Sequence, residues 1–306
     1  MKVLKFGGTS VGKPERMQMV SDIITKEEGQ KIVVLSAVSG TTNSLVQIGE
    51  ALYNNKKADA VTQIDTLYAQ YEDFLKILYK QDEFYTKGKA AVDTQFAVIR
   101  AMVDKPFTDL EERLILAQGE LISTQMFSLF LTENGTKNTL LWSLDFMSVD
   151  EDHEPELNKI SSKLNKIVDA NPDGGIFIAQ GYICMNASGE VDNLKRGGSD
   201  YTASLIGAAT KAEDIQIWTD IDGMHNNDPR IVKNTSAIPQ ISFDEAAELA
   251  YFGAKILHPA TIRPAMEANI PVKLLNTMDP EAKGTVVSEA QGKKDIKAIA
   301  AKDFIT

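Results

Sequence analysis

Lys5 stands two residues before an adjacent glycine pair, and Gly7-Gly8-Thr9-Ser10 follows directly on a short apolar run. That layout suits a phosphate cradle. Two glycines let the backbone approach an anion and adopt positive φ. Thr9 and Ser10 can cap a helix beginning near Pro14, so that free N–H groups and the helix dipole face the phosphate. Lys5 adds a full positive charge. Taken alone, the same residues also describe an ordinary glycine-rich turn from strand to helix. The spacing from Gly7 to Lys13 fits a P-loop, but Pro14 stands where the Mg²⁺-binding Ser or Thr belongs. Proline has no hydroxyl, so a P-loop NTPase is excluded.

Further segments carry compatible chemistry. Residues 36–43, Ser-Ala-Val-Ser-Gly-Thr-Thr-Asn, offer small hydroxyls for a polar pocket, or simply a capped turn. Glu120 interrupts an apolar helical run within Gly119-Glu120-Leu121-Ile122-Ser123-Thr124. If buried, it needs a cationic partner or a proton; if not, it is a solvated helix-face carboxylate. In Lys195-Arg196-Gly197-Gly198-Ser199-Asp200-Tyr201-Thr202-Ala203, an arginine and a second glycine pair form another anion-binding loop. Ser199 can cap the helix that follows, and Asp200 in its first turn suits the dipole. Asp200 would repel bare phosphate, so Mg²⁺ or Lys5 is expected between them. Thr219 and Asp220 can hold a nucleotide's polar edge, with Arg230 on its phosphates. Lys255, near a helix end at Phe252-Gly253-Ala254-Lys255-Ile256-Leu257-His258-Pro259, can do likewise or merely snorkel.

These residues need a scaffold that brings strand ends together. Short β-branched runs at 3–6, 32–36, 139–143, 176–180, 215–219 and 272–276 alternate with helical stretches, the rhythm of a mostly parallel sheet between helices. In an open sheet of this kind ligands collect at the carboxyl ends of the strands. From about 43 to 133 the strand signal disappears and helical periodicity takes over, as in Leu67, Tyr71, Phe74, Leu75 and Leu78. This is read as a helical excursion at one end of the sheet. A polar link at 289–295 precedes 296–305, which looks like the opening strand of another unit.

The bulk numbers narrow the class. The 306 residues are 43% hydrophobic, and 32 basic against 43 acidic residues leave a net charge of −11. A general nucleic-acid or membrane-surface binder is therefore not expected. The single cysteine, Cys184, rules out an internal disulfide framework and a cysteine-based zinc cluster, and His153, His225 and His258 lack metal-ligand spacing. A reducing cytoplasm fits. No apolar stretch is expected to approach the roughly 20 residues that span a bilayer.

The strings around Lys5, Arg196, Thr219 with Asp228-Pro229-Arg230, and Phe252 to Pro259, in this order and over nearly the whole chain, resemble the catalytic domain of aspartokinases in the amino-acid kinase family. The resemblance implies a three-layer α/β/α sandwich with an aspartate-binding N-terminal lobe and an ATP-binding C-terminal lobe. It places Ser36, Thr42, Glu120, Tyr182, Arg196, Gly197, Gly198 and Ser199 around the amino acid. Gly7, Gly8, Thr219, Asp220, His225, Arg230, Lys255 and Ile256 fall around ATP, with Lys5 and Asp200 at the transferring phosphoryl group and Mg²⁺ carried mainly on the phosphates. Residues 1–293 would form the kinase domain and 294–306 the start of a C-terminal regulatory domain. The implied reaction is phosphorylation of the aspartate β-carboxylate, the first step toward lysine, threonine and methionine. The family often has tyrosine where this chain has His225. Kinases of the same fold acting on glutamate, acetylglutamate or nucleoside monophosphates stay open, as does a non-catalytic amino-acid sensor. The oligomeric state also stays open, a homodimer included.

Overall fold

The computed structural model describes residues 1–172, 174–194, 197–227, 231–251, 257, 259–289 and 296–299. Its strands are β1 (Lys2–Phe6), β2 (Lys31–Leu35), β3 (Thr139–Leu140), β4 (Ile176–Gln180), β5 (Ile183–Met185), β6 (Val191–Asn193), β7 (Ile215–Thr219), β8 (Gln240–Ser242), β9 (Val272–Asn276) and β10 (Thr285–Ser288). Helices α1 (Gly8–Val11) and α2 (Pro14–Lys26) follow β1. Next come α3 (Thr41–Tyr53), α4 (Lys57–Leu78), α5 (Asp82–Ala101) and α6 (Asp109–Glu133). The second half carries α7 (Ser143–Phe146), α8 (Leu157–Asp169), α9 (Gly198–Thr210), α10 (Phe243–Tyr251) and α11 (Pro259–Glu267).

One eight-stranded sheet runs β3-β4-β2-β1-β7-β9-β10-β8, parallel except where β10 meets β9, and β5 and β6 form a separate hairpin. Both faces are covered, so the central strands are apolar almost throughout. Leu4, Phe6, Val33, Leu35 and Ile178 point into one core with α2 to α6, while Val3, Ile32, Val34, Phe177, Ala179, Ile215 and Ile217 point into the other with α8, α9 and α11. The expected α/β/α sandwich is therefore what forms. From β1 the chain steps to β2 on one side and reaches β7 on the other only later. The crevice at their carboxyl ends is a topological switch point.

The excursion at 41–133 is four packed helices. α4 buries Ala60, Ile64, Leu67, Tyr71, Leu75 and Leu78, a three-and-four spacing along one stripe. α6 opens with a capping box between Thr108 and Glu111. It is 25 residues long and apolar enough to cross a membrane, contrary to the reading from sequence, and 72% of its most apolar window is buried inside the fold. Its apolarity serves a core position, enclosed on several sides rather than one.

Three local expectations change. Thr9 and Ser10 lie inside α1, and α2 begins after Lys13 without a side-chain cap. The strand expected at 139–143 stops at Leu140, because Ser143 is captured by Gln180: its N–H donates to Oε1 at 2.7 Å and its hydroxyl to the backbone carbonyl at 2.7 Å, turning the chain into α7. Of the strand expected at 296–305, only 296–299 lie among the described residues, and these form no strand; the Ile299 N–H donates to the Asn226 carbonyl at 3.0 Å and Lys297 pairs with Glu245 at 2.7 Å.

Candidate active site

Lys5 sits in the middle of the sheet, its backbone in register with Val34 of β2 and Ile217 of β7. Alternation turns its side chain to the α9 face. There Nζ meets Asp200 Oδ1 at 2.7 Å, with side-chain exposures of 12% and 22%. The oxygen has no directed hydrogen bond, so the contact is one of charge and proximity. A half-shielded pair of this kind leaves the ammonium's other hydrogens for a ligand.

The glycine pair serves this lysine by closeness rather than by positive φ. Gly7 has φ −74°, and a Cβ on it would lie 3.4 Å from Lys5 Nζ. A Cβ on Gly8 would come within 2.9 Å of the Ala37 carbonyl oxygen, so the loop after β1 lies directly against the loop after β2. Ser10 in α1 shares a buried hydroxyl contact of 2.7 Å with Thr277, whose N–H donates to the Thr219 carbonyl at 2.8 Å. The loops after β1, β7 and β9 are thereby tied together.

At the second glycine pair, Gly197 is the residue before α9 and has φ 67°; Gly198 opens the helix with φ 44°. No side chain caps this end. Ser199, expected as the cap, instead lies in the first turn and accepts from the Ser36 hydroxyl at 2.9 Å. Asp200 is in the same turn, as expected. Tyr182, held at φ 69°, uses its N–H to donate to Thr202 Oγ1 at 2.9 Å, and burial pushes its phenol up to about 12. A Cβ on Gly198 would lie 3.5 Å from the Tyr182 side chain.

Among the described residues, Glu120 is a carboxylate buried without a cation. It is 4% exposed, its Oε1 accepts the Ala37 N–H at 3.1 Å, and its Oε2 is buried without a hydrogen-bond partner. Desolvation pushes its carboxyl up to about 8 against the pull of the Ala37 N–H. Ser123, one turn on in α6, donates to the Ser36 carbonyl at 2.8 Å. Ser36, Ser199, Glu120 and Lys5 therefore gather through the ends of β1 and β2, the start of α9 and the middle of α6. Thr42 is exposed, whereas its neighbour Thr41 is buried and bonded to Tyr71 at 2.8 Å.

On the β7 side, Thr219 donates to Asp220 Oδ1 at 3.1 Å at the strand end. His225 lies in the following loop, with Nε2 2.6 Å from Asp222 Oδ1 and Nδ1 2.7 Å from Thr235 Oγ1. Both ring nitrogens thus brace the loop, and the hydrogen bond from His225 holds the Asp222 carboxyl below its ordinary value. Arg196, Arg230, Lys255 and Ile256 lie outside the described residues. Sequence reasoning did not single out Tyr71, Thr277 or Thr202 for the site. Tyr71 is hidden inside the periodicity of α4, and Thr277 follows a strand with no motif around it.

The family model described as "Amino acid kinase family" matches residues 1–276. The chain belongs to the amino acid kinase family. Among its relatives, the lysine-sensitive aspartokinase 3 of Escherichia coli K12 is 34% identical over 291 residues, covering 93% of this chain and 63% of that protein. The chloroplastic aspartokinase 3 of Arabidopsis thaliana is 34% identical over 311 residues, covering 94% of the chain and 53% of the relative. Among solved structures of the family, E. coli aspartokinase III in complex with aspartate and ADP superposes with a TM-score of 0.85 at 31% identity, covering 96% of this chain and 65% of that one. The same enzyme in complex with lysine and aspartate gives a TM-score of 0.85 at 31% identity, over 96% and 66% of the two chains. The chain thus spans between half and two thirds of the length of these relatives.

Proposed function

We propose that this amino acid kinase is an aspartokinase, transferring the γ-phosphoryl group of ATP to the β-carboxylate of L-aspartate. The observation that carries the reading is the orphan oxygen of Glu120. A buried carboxylate with one unsatisfied oxygen calls for a cation, and the α-ammonium of an amino acid has the charge and the donors. Binding it would draw Glu120 back toward its ionised form. The solved relative that holds aspartate and ADP supports the same pair of ligands here.

The α-carboxylate is assigned to Arg196 together with the N–H groups at the uncapped start of α9, next to Ser36 and Ser199. With both α groups held, the β-carboxylate is left to face the nucleotide. An aspartate side chain ordinarily titrates near about 3.9 and is already ionised at neutral pH, so no general base is required. One carboxylate oxygen forms a bond to the γ-phosphorus as the bond to the β,γ-bridging oxygen breaks, and ADP leaves with that electron pair. Lys5 lies at the switch point, where its ammonium offsets charge on the transferring group; Asp200 keeps it there between turnovers. Thr219, Asp220, His225, Arg230, Lys255 and Ile256 are assigned to the nucleotide. No group of three or more His, Cys, Asp or Glu side chains among the described residues can hold a metal ion, so Mg²⁺ is assigned to the ATP phosphates, with Asp200 the carboxylate beside them.

ADP release measured with L-aspartate, L-glutamate, N-acetylglutamate and nucleoside monophosphates tests the reading. Turnover with aspartate is expected; turnover only with another acceptor, or nucleotide binding without any turnover, would overturn it.

A further inference from the structure

The helical excursion contributes one polar contact to the edge of this site. Tyr71 of α4 is 2% exposed, its ring in edge contact with Phe96 at 5.8 Å and 70°, and its hydroxyl 2.8 Å from Thr41 Oγ1. Thr41 is the first residue of α3, and its N–H donates to the Val38 carbonyl at 3.0 Å, closing the 38–41 turn. One residue earlier in that loop lies Ala37, whose N–H is the hydrogen bond to Glu120. α6 presses on the same place: a Cβ on Gly119 would lie 2.8 Å from Ala37 Cβ and 3.3 Å from Thr41 Cγ2. Burial, with the Glu120 charge adding to it, holds the Tyr71 phenol well above its ordinary value, so the hydroxyl keeps its proton and requires an acceptor.

We propose that Tyr71 is a positioning residue for the acceptor amino acid: through Thr41 it fixes the 36–41 loop, and with it the Ala37 N–H that aims Glu120. The inference rests on the aspartokinase reading for its kinetic consequence, not for its structural one. Glu120 has no hydrogen bond to Oε2 within the described residues, so its orientation depends on the loop that supplies the bond to Oε1. α4 would thus act on substrate binding without touching substrate, and it would act mainly on the amino acid, because apart from Gly7 and Gly8 the residues assigned to ATP lie at or beyond the end of β7.

Tyr71→Phe removes the hydroxyl and keeps the ring in its contact with Phe96. The KM for L-aspartate should rise roughly three- to tenfold, as for one buried hydrogen bond. The KM for ATP should stay close to wild type, and the Tm should fall by no more than a few degrees, as for one buried hydrogen bond. Hydrogen exchange supplies a readout independent of turnover: the Ala37 amide should exchange at least about tenfold faster, with the β1 and β2 amides unchanged. Thr41→Ala breaks the same bond from the other side, and the double variant should show little beyond either single one. An aspartate KM within about twofold of wild type, or an unaltered Ala37 exchange rate, overturns the proposal. A uniform loss in both KM values, kcat and Tm would make Tyr71 a packing residue only. Should the wild-type protein turn over no aspartate, the functional reading falls and the Ala37 exchange rate alone decides the role of Tyr71.

Discussion

Replacing Glu120 by glutamine tests whether a raised carboxyl governs this protein's behaviour near neutrality. In the unliganded fold burial pushes Glu120 from the ordinary 4.5 up to about 8. A folded pKa above the unfolded one means that the native state holds a proton the unfolded chain has given up, so stability falls as pH rises between the two values and levels off above the upper one. At about 1.4 kcal/mol per pH unit, the full rise from 4.5 to about 8 bounds the loss at about 5 kcal/mol. Water entering the site reduces it. Carboxylates held low by partners, such as Asp222 and Glu27, lose their contribution only as pH falls below the ordinary carboxylate range, outside this window. Taking the difference between wild type and Glu120→Gln cancels whatever the two proteins share and isolates the glutamate. Urea unfolding midpoints at half-unit steps from pH 5 to pH 8 should fall for wild type and stay flatter for the variant, with the difference closing when L-aspartate is added. The variant should also raise the aspartate KM by about ten- to a hundredfold, the loss of one charge-assisted hydrogen bond. Superimposable stability profiles would refute the argument, because they would mean that Glu120 is hydrated or paired in solution.

Two other substitutions probe the two glycine-framed loops. Lys5→Ala should lower kcat by at least about a hundredfold with a smaller change in ATP KM, since its charge matters most as the phosphoryl group transfers; near-normal kcat in a steady-state assay would remove it from the chemistry. Gly197→Ala meets both a φ of 67° and a Cβ position 1.8 Å from Thr261 Cγ2, so a drop in Tm and loss of turnover are expected together, and a variant melting with wild type would show that α9 can shift at its start.

Much of this organisation is legible in the residues. The runs at 176–180, 215–219 and 272–276 coincide with strands, because a sheet covered on both faces needs uninterrupted apolar stretches. The hairpin of β5 and β6 and the short strands β8 and β10 carry too few residues to show a period. Within the site, Lys5 and Asp200 stand out by type and spacing, and they do pair. Glu120 is visible as a charge in an apolar run, but its orphan oxygen is a product of packing between α6 and the 36–41 loop, which no single segment encodes. Positions near helix starts mislead for a local reason: Thr9, Ser10 and Ser199 have capping chemistry, yet glycines and a lysine take the capping places, and the Ser10 and Ser199 hydroxyls are left for tertiary contacts.

The central place of β1 has a consequence for how the protein comes into being. Residues 3–6 pair on one side with 32–35 and on the other with 215–218. The lysine at the head of the chain therefore waits for more than two hundred further residues before its second neighbour arrives, and Asp200 reaches it only shortly before that. A ribosome-bound chain that has released β2 and the helical excursion holds an open edge on β1, where β7 will later pair. Until that edge is closed, the growing chain is both inactive and exposed to pairing with the wrong strand, so chaperone demand during synthesis should fall sharply once β7 has emerged.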